Sequence, residues 1–178
     1  MKQIVFSLAT AALMLSRLEA AVVIPMTFEQ LVDEAAAVVY ARVADVRGHW
    51  TVDRGSIDSI VTLEALQYMK GNLGPAVAMR VPGGEVGGVV NLVPGAPSFR
   101  EGDLVVLFLK ARGPAMLTPL GFTQGVFRVA FDSTRGQMMV TPPPLKASAA
   151  GRLVRGAADR RALDVGVFGT TVRSMVER

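Results

Sequence analysis

The chain has no cysteine, so disulfides and thiolate metal sites are excluded. It has a single histidine, His49, which rules out a multi-histidine metal site or a catalytic triad drawn from one chain. Aromatic residues make up only 6% of the sequence. That scarcity removes the stacking platforms that single-stranded nucleic acid needs, so no nucleic-acid partner is expected. Long apolar runs are also missing beyond the N-terminus. The run over residues 4–15 is about a dozen residues, short of the roughly twenty needed to span a bilayer.

What is present is an N-terminus built for export. Lys2 precedes that apolar run, and Ser16-Arg17-Leu18-Glu19-Ala20-Ala21 follows it. A charged start, a short apolar core and small residues match a secretory signal peptide over residues 1–20, with cleavage after Ala20 or after Ala21. The alternative is a buried N-terminal helix. The formal net charge of the whole chain is +4 and apolar residues make up 51%. Its 178 residues suit one domain with appendages. A cysteine-free exported chain of this size fits a bacterial envelope or secreted protein, periplasmic or extracellular.

The hydrophobic pattern is that of a β protein. Thr27 and Gln30 form a capping-box pattern ahead of Phe28, Leu31, Val32 and Ala35, predicting a short helix over 28–35. A first strand follows over 37–46, running on towards residue 51, with turns expected at Gly48 and at 53–55. Residues 57–71 form a long strand with one irregularity. Val61, Leu63 and Ala65 alternate with Thr62 and Glu64, then Leu66 and Tyr68 carry bulk on the opposite parity. A period-two pattern that slips by one residue signals a bulge of the kind that bends a sheet into a barrel.

Val77, Met79 and Val81 mark a third strand stopping at Pro82, and a glycine-rich loop occupies 83–88. The run over 104–109 is apolar throughout and predicts a strand buried on both sides. A short strand is expected near residue 117. Phe127, Val129 and Phe131 alternate along 125–132. A hairpin loop over 132–136, with Gly136 left-handed, leads to a returning strand over 137–141. Pro142-Pro143-Pro144 ends the sheet, and 142–163 reads as a Pro/Ala/Gly/Arg-rich linker. Val165, Phe168, Val172 and Met175 then have helical spacing, with Asp164 as N-cap, giving a C-terminal helix over 164–178.

The expected fold is all-β, a small OB-like barrel over 21–141 with a helix at either end. The segments Val38-Val-Tyr-Ala-Arg-Val43, Ile60-Val-Thr-Leu-Glu-Ala-Leu-Gln-Tyr-Met-Lys-Gly71, Phe99-Arg-Glu-Gly-Asp-Leu-Val-Val-Leu-Phe108 and Gln124-Gly-Val-Phe-Arg-Val129 resemble a group of exported bacterial β-barrel proteins. They are also distantly similar to the netrin-like OB barrel of tissue inhibitors of metalloproteinases. That resemblance implies a barrel that contacts another protein. The inhibitors chelate zinc through an N-terminal cysteine, which this chain lacks.

The residues that invite a chemical reading are few. Gly83-Gly84-Glu85-Val86-Gly87-Gly88 lacks the Lys-Ser/Thr of a phosphate-binding P-loop, and Val89-Val90 follow instead. It reads as a loop between strands whose role, if it has one, is contact with a protein, with Glu85 its only charge. His49-Trp50 reads as a strand end packing against the barrel, or as a binding hot spot. Three functions are carried forward. The first is a non-enzymatic module binding an exported or envelope protein through Ala21, Val22, His49, Trp50, Gly84, Glu85 and Gly87. The second is an inhibitor of an exported protease that uses the new N-terminus and barrel loops. The third is an exported hydrolase whose Glu85 and Asp103 would converge in one pocket. No cofactor or metal is expected.

Overall fold

The structure is a computed structural model that describes residues 25–111, 116–143 and 161–178. Ten strands and two α-helices lie within them. The expected signal peptide over 1–20 and most of the expected linker lie outside the described residues.

Helix α1 (Phe28–Glu34) begins as its sequence predicts. Gln30 N–H donates to Thr27 Oγ1 at 3.1 Å, and Thr27 N–H donates to Gln30 Oε1 at 2.8 Å. Two otherwise orphan amides are satisfied this way. The other end is closed from a distance. Lys70 Nζ donates to the carbonyls of Val32 and Asp33 at 2.7 and 2.9 Å, placing a cation where the helix dipole favours one.

Strands β1 (Ala37–Trp50), β2 (Ile57–Lys70), β3 (Ala76–Pro82), β6 (Leu104–Ala111) and β7 (Leu117–Pro119) close a five-stranded barrel in the ring order β1-β2-β3-β7-β6. Pairing of β1 with β6 completes the ring. Only β3 and β7 run parallel, so the barrel is mixed. A second layer grows from β6, whose start also pairs with β8 (Val126–Asp132). Strand β9 (Gln137–Thr141) joins β8, and the two-residue β10 (Leu163–Asp164) joins β9. The segment expected as a linker therefore rejoins the sheet at its far end. Helix α2 (Val165–Val176) follows, with Asp164 accepting from Gly166 N–H and Val167 N–H.

The bent strand owes its change of face to bulges. In the β1–β2 register Ala41 opposes Ala65 and Tyr40 opposes Gln67, so Leu66 is passed over. Parity switches there. Ala65 and Tyr68 both pack on the barrel interior, and Leu66, expected to share the face of Tyr68, is exposed. Ala44 is passed over in β1, which moves the inward parity from Val43 to Val46.

Two cores result, one on each side of β1 and β6. Val39, Val43, Leu63, Met79, Val105 and Leu107 fill the barrel. Val38, Val106 and Phe108 point outward, under α1, α2 and β9. The continuous apolar run in β6 is the sequence image of a strand buried on both faces. Phe28, Phe108, Phe127 and Phe168 form the heart of the outer core, with ring centroids 5.3–6.4 Å apart. Phe168 and Val172 dock α2 there, so the C-terminal helix belongs to the domain.

Three local expectations are corrected. Gly48 lies within β1, opposite Ser59, and makes no turn. The loop expected over 83–88 is a hairpin of β4 (Gly84–Val86) and β5 (Val89–Asn91). Phe131 is 64% exposed despite its place in the alternation. Pairing with β6 stops at Val129, so Phe131 lies where β8 runs out as a ribbon with β9 alone.

Candidate partner-binding end of the barrel

The β4–β5 hairpin folds back onto one end of the barrel, where β1 finishes and β2 begins. Its seat is made by small residues. A Cβ on Gly48 would lie 2.1 Å from the Glu85 carbonyl oxygen, and a Cβ on Gly84 would lie 2.3 Å from Ser59 Oγ. No other residue type fits either position without displacing the hairpin. Ser59 is buried, and its hydroxyl donates to the Gly83 carbonyl at 2.8 Å. Gly83 N–H donates to the Ile57 carbonyl at 2.9 Å. These two bonds tie the base of the hairpin to β2. At its tip Gly87 and Gly88 have φ of 58° and 81°, the left-handed pair of a two-residue type I′ turn.

The neighbouring β1–β2 turn is tied by its own hydrogen bonds. Thr51 Oγ1 donates to Asp53 Oδ1 at 2.6 Å, and Ser56 N–H donates to Thr51 Oγ1 at 3.1 Å. The Thr51 hydroxyl, followed by Gly55 N–H, holds the Asp53 carboxyl below its ordinary pKa. With the polar groups turned inward on one another, Val52 is left wholly in solvent.

Between the hairpin and the barrel lies a cavity of about 330 Å³. Val46, Val61, Val81 and Phe99 form its apolar walls, and Glu85 and Asn91 line it from the hairpin. The connection after β5 closes the remaining side through Val93, Ala96 and Ser98. Arg128 on β8 clamps that connection. Its guanidinium bonds the Asp103 carboxylate at 2.6 Å, donates to the Ser98 carbonyl, and lies 5.2 Å from the centre of the Phe99 ring. Asp103 also accepts from Arg100 N–H at 3.0 Å.

The structure gathers His49, Trp50, Gly84, Glu85 and Gly87 at this end, on β1 and the hairpin it supports. His49 Nδ1 is buried without a hydrogen-bond partner among the described residues. Ala21 and Val22 lie outside the described residues. Met26, near the start of the described chain, donates its N–H to Gln124 Oε1 and lies beside Gly121. Gly125, in the same turn, packs on the Phe108 carbonyl, and Phe108 pairs with Val38. From Val38 to the hairpin seat at Gly48 is roughly 30 Å of extended strand. Glu85 lines the cavity and Asp103 does not; Asp103 Oδ2 instead accepts from the Arg128 guanidinium and the Arg100 N–H.

Sequence reading missed the exposed apolar residues of the hairpin. Leu92 is 85% exposed, Val90 is 56% exposed, and Val89 is also open. Their signal was a bulky apolar segment set between the Gly87-Gly88 turn and Pro94-Gly95, where polar residues are usual. The clamp role of Arg128 left no mark in spacing, because its partners are remote in sequence.

No protein-family model, no curated protein and no solved structure matches the chain.

Proposed function

We propose that this protein is an exported, non-enzymatic module of the bacterial envelope or secretome that binds another protein through the hairpin end of its barrel. One observation carries the reading. Val52 on the β1–β2 turn, Val89 and Val90 on β5 and Leu92 after it are exposed, and Val90 and Leu92 also line an apolar cavity. Apolar side chains held in solvent on an ordered scaffold are characteristic of interaction surfaces. The closed mixed ring is consistent with a relation to netrin-like OB barrels, whose loops contact proteins, although a fold alone does not decide function.

The partner is an exported or envelope protein, and a protease is one such class. An inhibitor of an exported protease that joins the new N-terminus to the barrel loops is the narrower form of the same reading. A carboxylate-based hydrolase is the less supported reading, because only Glu85 of its two named carboxylates lines the cavity.

The test is comparative. Immobilised wild-type protein and its Leu92→Glu and Val90→Glu variants are exposed to envelope extract. A partner retained by the wild type and lost by both variants is the expected result. Retention that ignores both substitutions contradicts the reading. Export is checked separately by N-terminal sequencing of the secreted protein, which should begin at Ala21.

A further inference from the structure

Among the described residues, strand β5 is paired on one side only, by β4. A two-residue turn at Gly87-Gly88 makes Val86 and Val89 the pair that exchanges both backbone hydrogen bonds. Alternation along an antiparallel ladder then turns the N–H and C=O of Glu85 and Val90 away from the hairpin. On the β4 side these groups are covered, with the Glu85 backbone lying against Gly48. On the β5 side the Val90 peptide groups face outward along an edge that no other strand occupies among the described residues.

That edge adjoins the apolar cavity, and one charge stands at its rim. Among the described residues, the strand carboxylates Asp45, Asp58, Glu64 and Asp132 each have an arginine partner, and Asp164 caps α2. Glu85 has no ion pair or side-chain hydrogen bond within the described residues, although it lines the cavity. An open strand edge, an apolar recess and an unanswered carboxylate thus lie side by side.

We propose that the β5 edge captures an extended polypeptide segment by strand addition, seating one apolar side chain in the cavity and a lysine or arginine beside Glu85. The inference rests on the protein-binding reading above and names its mode. An extended chain supplies donors and acceptors at the spacing of the edge. A space of about 330 Å³ suits one large side chain and is at the small end for a whole ligand. The lone carboxylate selects a cation by complementarity.

Amide chemical shifts of isotope-labelled protein, recorded while blocked pentapeptides are added, provide the test. The probes are a Lys-Val-Phe-Val-Lys peptide, its Glu-Val-Phe-Val-Glu counterpart, and the lysine peptide N-methylated at alternate amides. The lysine peptide should move the amides of Gly48, Glu85, Val90 and Leu92. The glutamate peptide should bind more weakly, and the N-methylated one should not bind. Glu85→Gln should weaken the lysine peptide by about 2–5-fold, the range of an exposed ion pair.

Absence of shifts with the lysine peptide, or equal binding of its N-methylated form, overturns strand addition. Leu92-dependent retention of an envelope protein would survive that result, so failure of the mode is distinguishable from failure of the docking surface. Binding to phosphatidylglycerol vesicles that Leu92→Glu abolishes, without peptide shifts, would assign the surface to lipid and overturn the proposal.

Discussion

A single hydrogen atom in place of a side chain decides where the β4–β5 hairpin sits. Gly48 has a strand neighbour, Ser59, on one side and the Glu85 backbone against its α-carbon. Gly48→Ala forces a methyl into a carbonyl and should cost about 1–3 kcal/mol, as overpacking does. Urea unfolding should register the loss, and amide shifts should report movement of residues 83–93. Gly87→Ala meets open space and suffers only its left-handed backbone, about 1–2 kcal/mol, leaving the hairpin seat in place. Asp132 offers a test by pH. Its carboxylate accepts from the Arg135 side chain at 2.7 Å and from the backbone amides of Thr134 and Arg135, which hold it below its ordinary value of 3.8. A depressed folded pKa stabilises above the unfolded value and stops doing so as pH falls through the folded one. The stability difference between wild type and Asp132→Asn should therefore be constant near neutrality and shrink below pH 3.8 in acid titrations of the unfolding midpoint. A difference that grows with acidity would contradict this.

The elements were legible in proportion to how local their causes are. The capping box of α1, the Asp164 cap of α2 and the left-handed Gly136 are decided within a few residues, and each is found where its sequence predicts. The slip of parity in β2 was also readable, because bulges change which residues face the core. Assigning Leu66 to the core was not, since only the register against β1 shows that it is the bulged residue. Gly48 fails for the same reason: glycine reads as a turn, and its true cause is a hairpin that is distant in sequence. Helix α2 is the element whose docking is most easily tested. Phe168 is 4% exposed within the four-phenylalanine cluster, and Phe168→Ala should cost about 3–5 kcal/mol. Val167 is exposed on the same helix, and its change to alanine should stay within about 0.5 kcal/mol. Equal effects in thermal unfolding would mean that α2 does not pack as described.

At the scale of the molecule, one barrel presents two differently finished surfaces. Its outer wall is sealed by α1, α2 and the β8–β9–β10 layer, which turn the outward side chains of β1 and β6 into a second core. One of its ends is left apolar and exposed, with a cavity behind a hairpin held by glycines, Ser59 and the Arg128 clamp. The sequence pointed to His49, Trp50, Gly84, Glu85 and Gly87, which the fold brings to that end. Leu92 and Val90 were overlooked because exposure depends on what fails to pack, and no periodicity records that. The measurement that addresses the proposed docking surface most directly is site-specific photocrosslinking in cells that express the protein. The account predicts a discrete protein adduct from position 92 and none from position 167. Adducts from position 167 alone, or none from position 92, would contradict it.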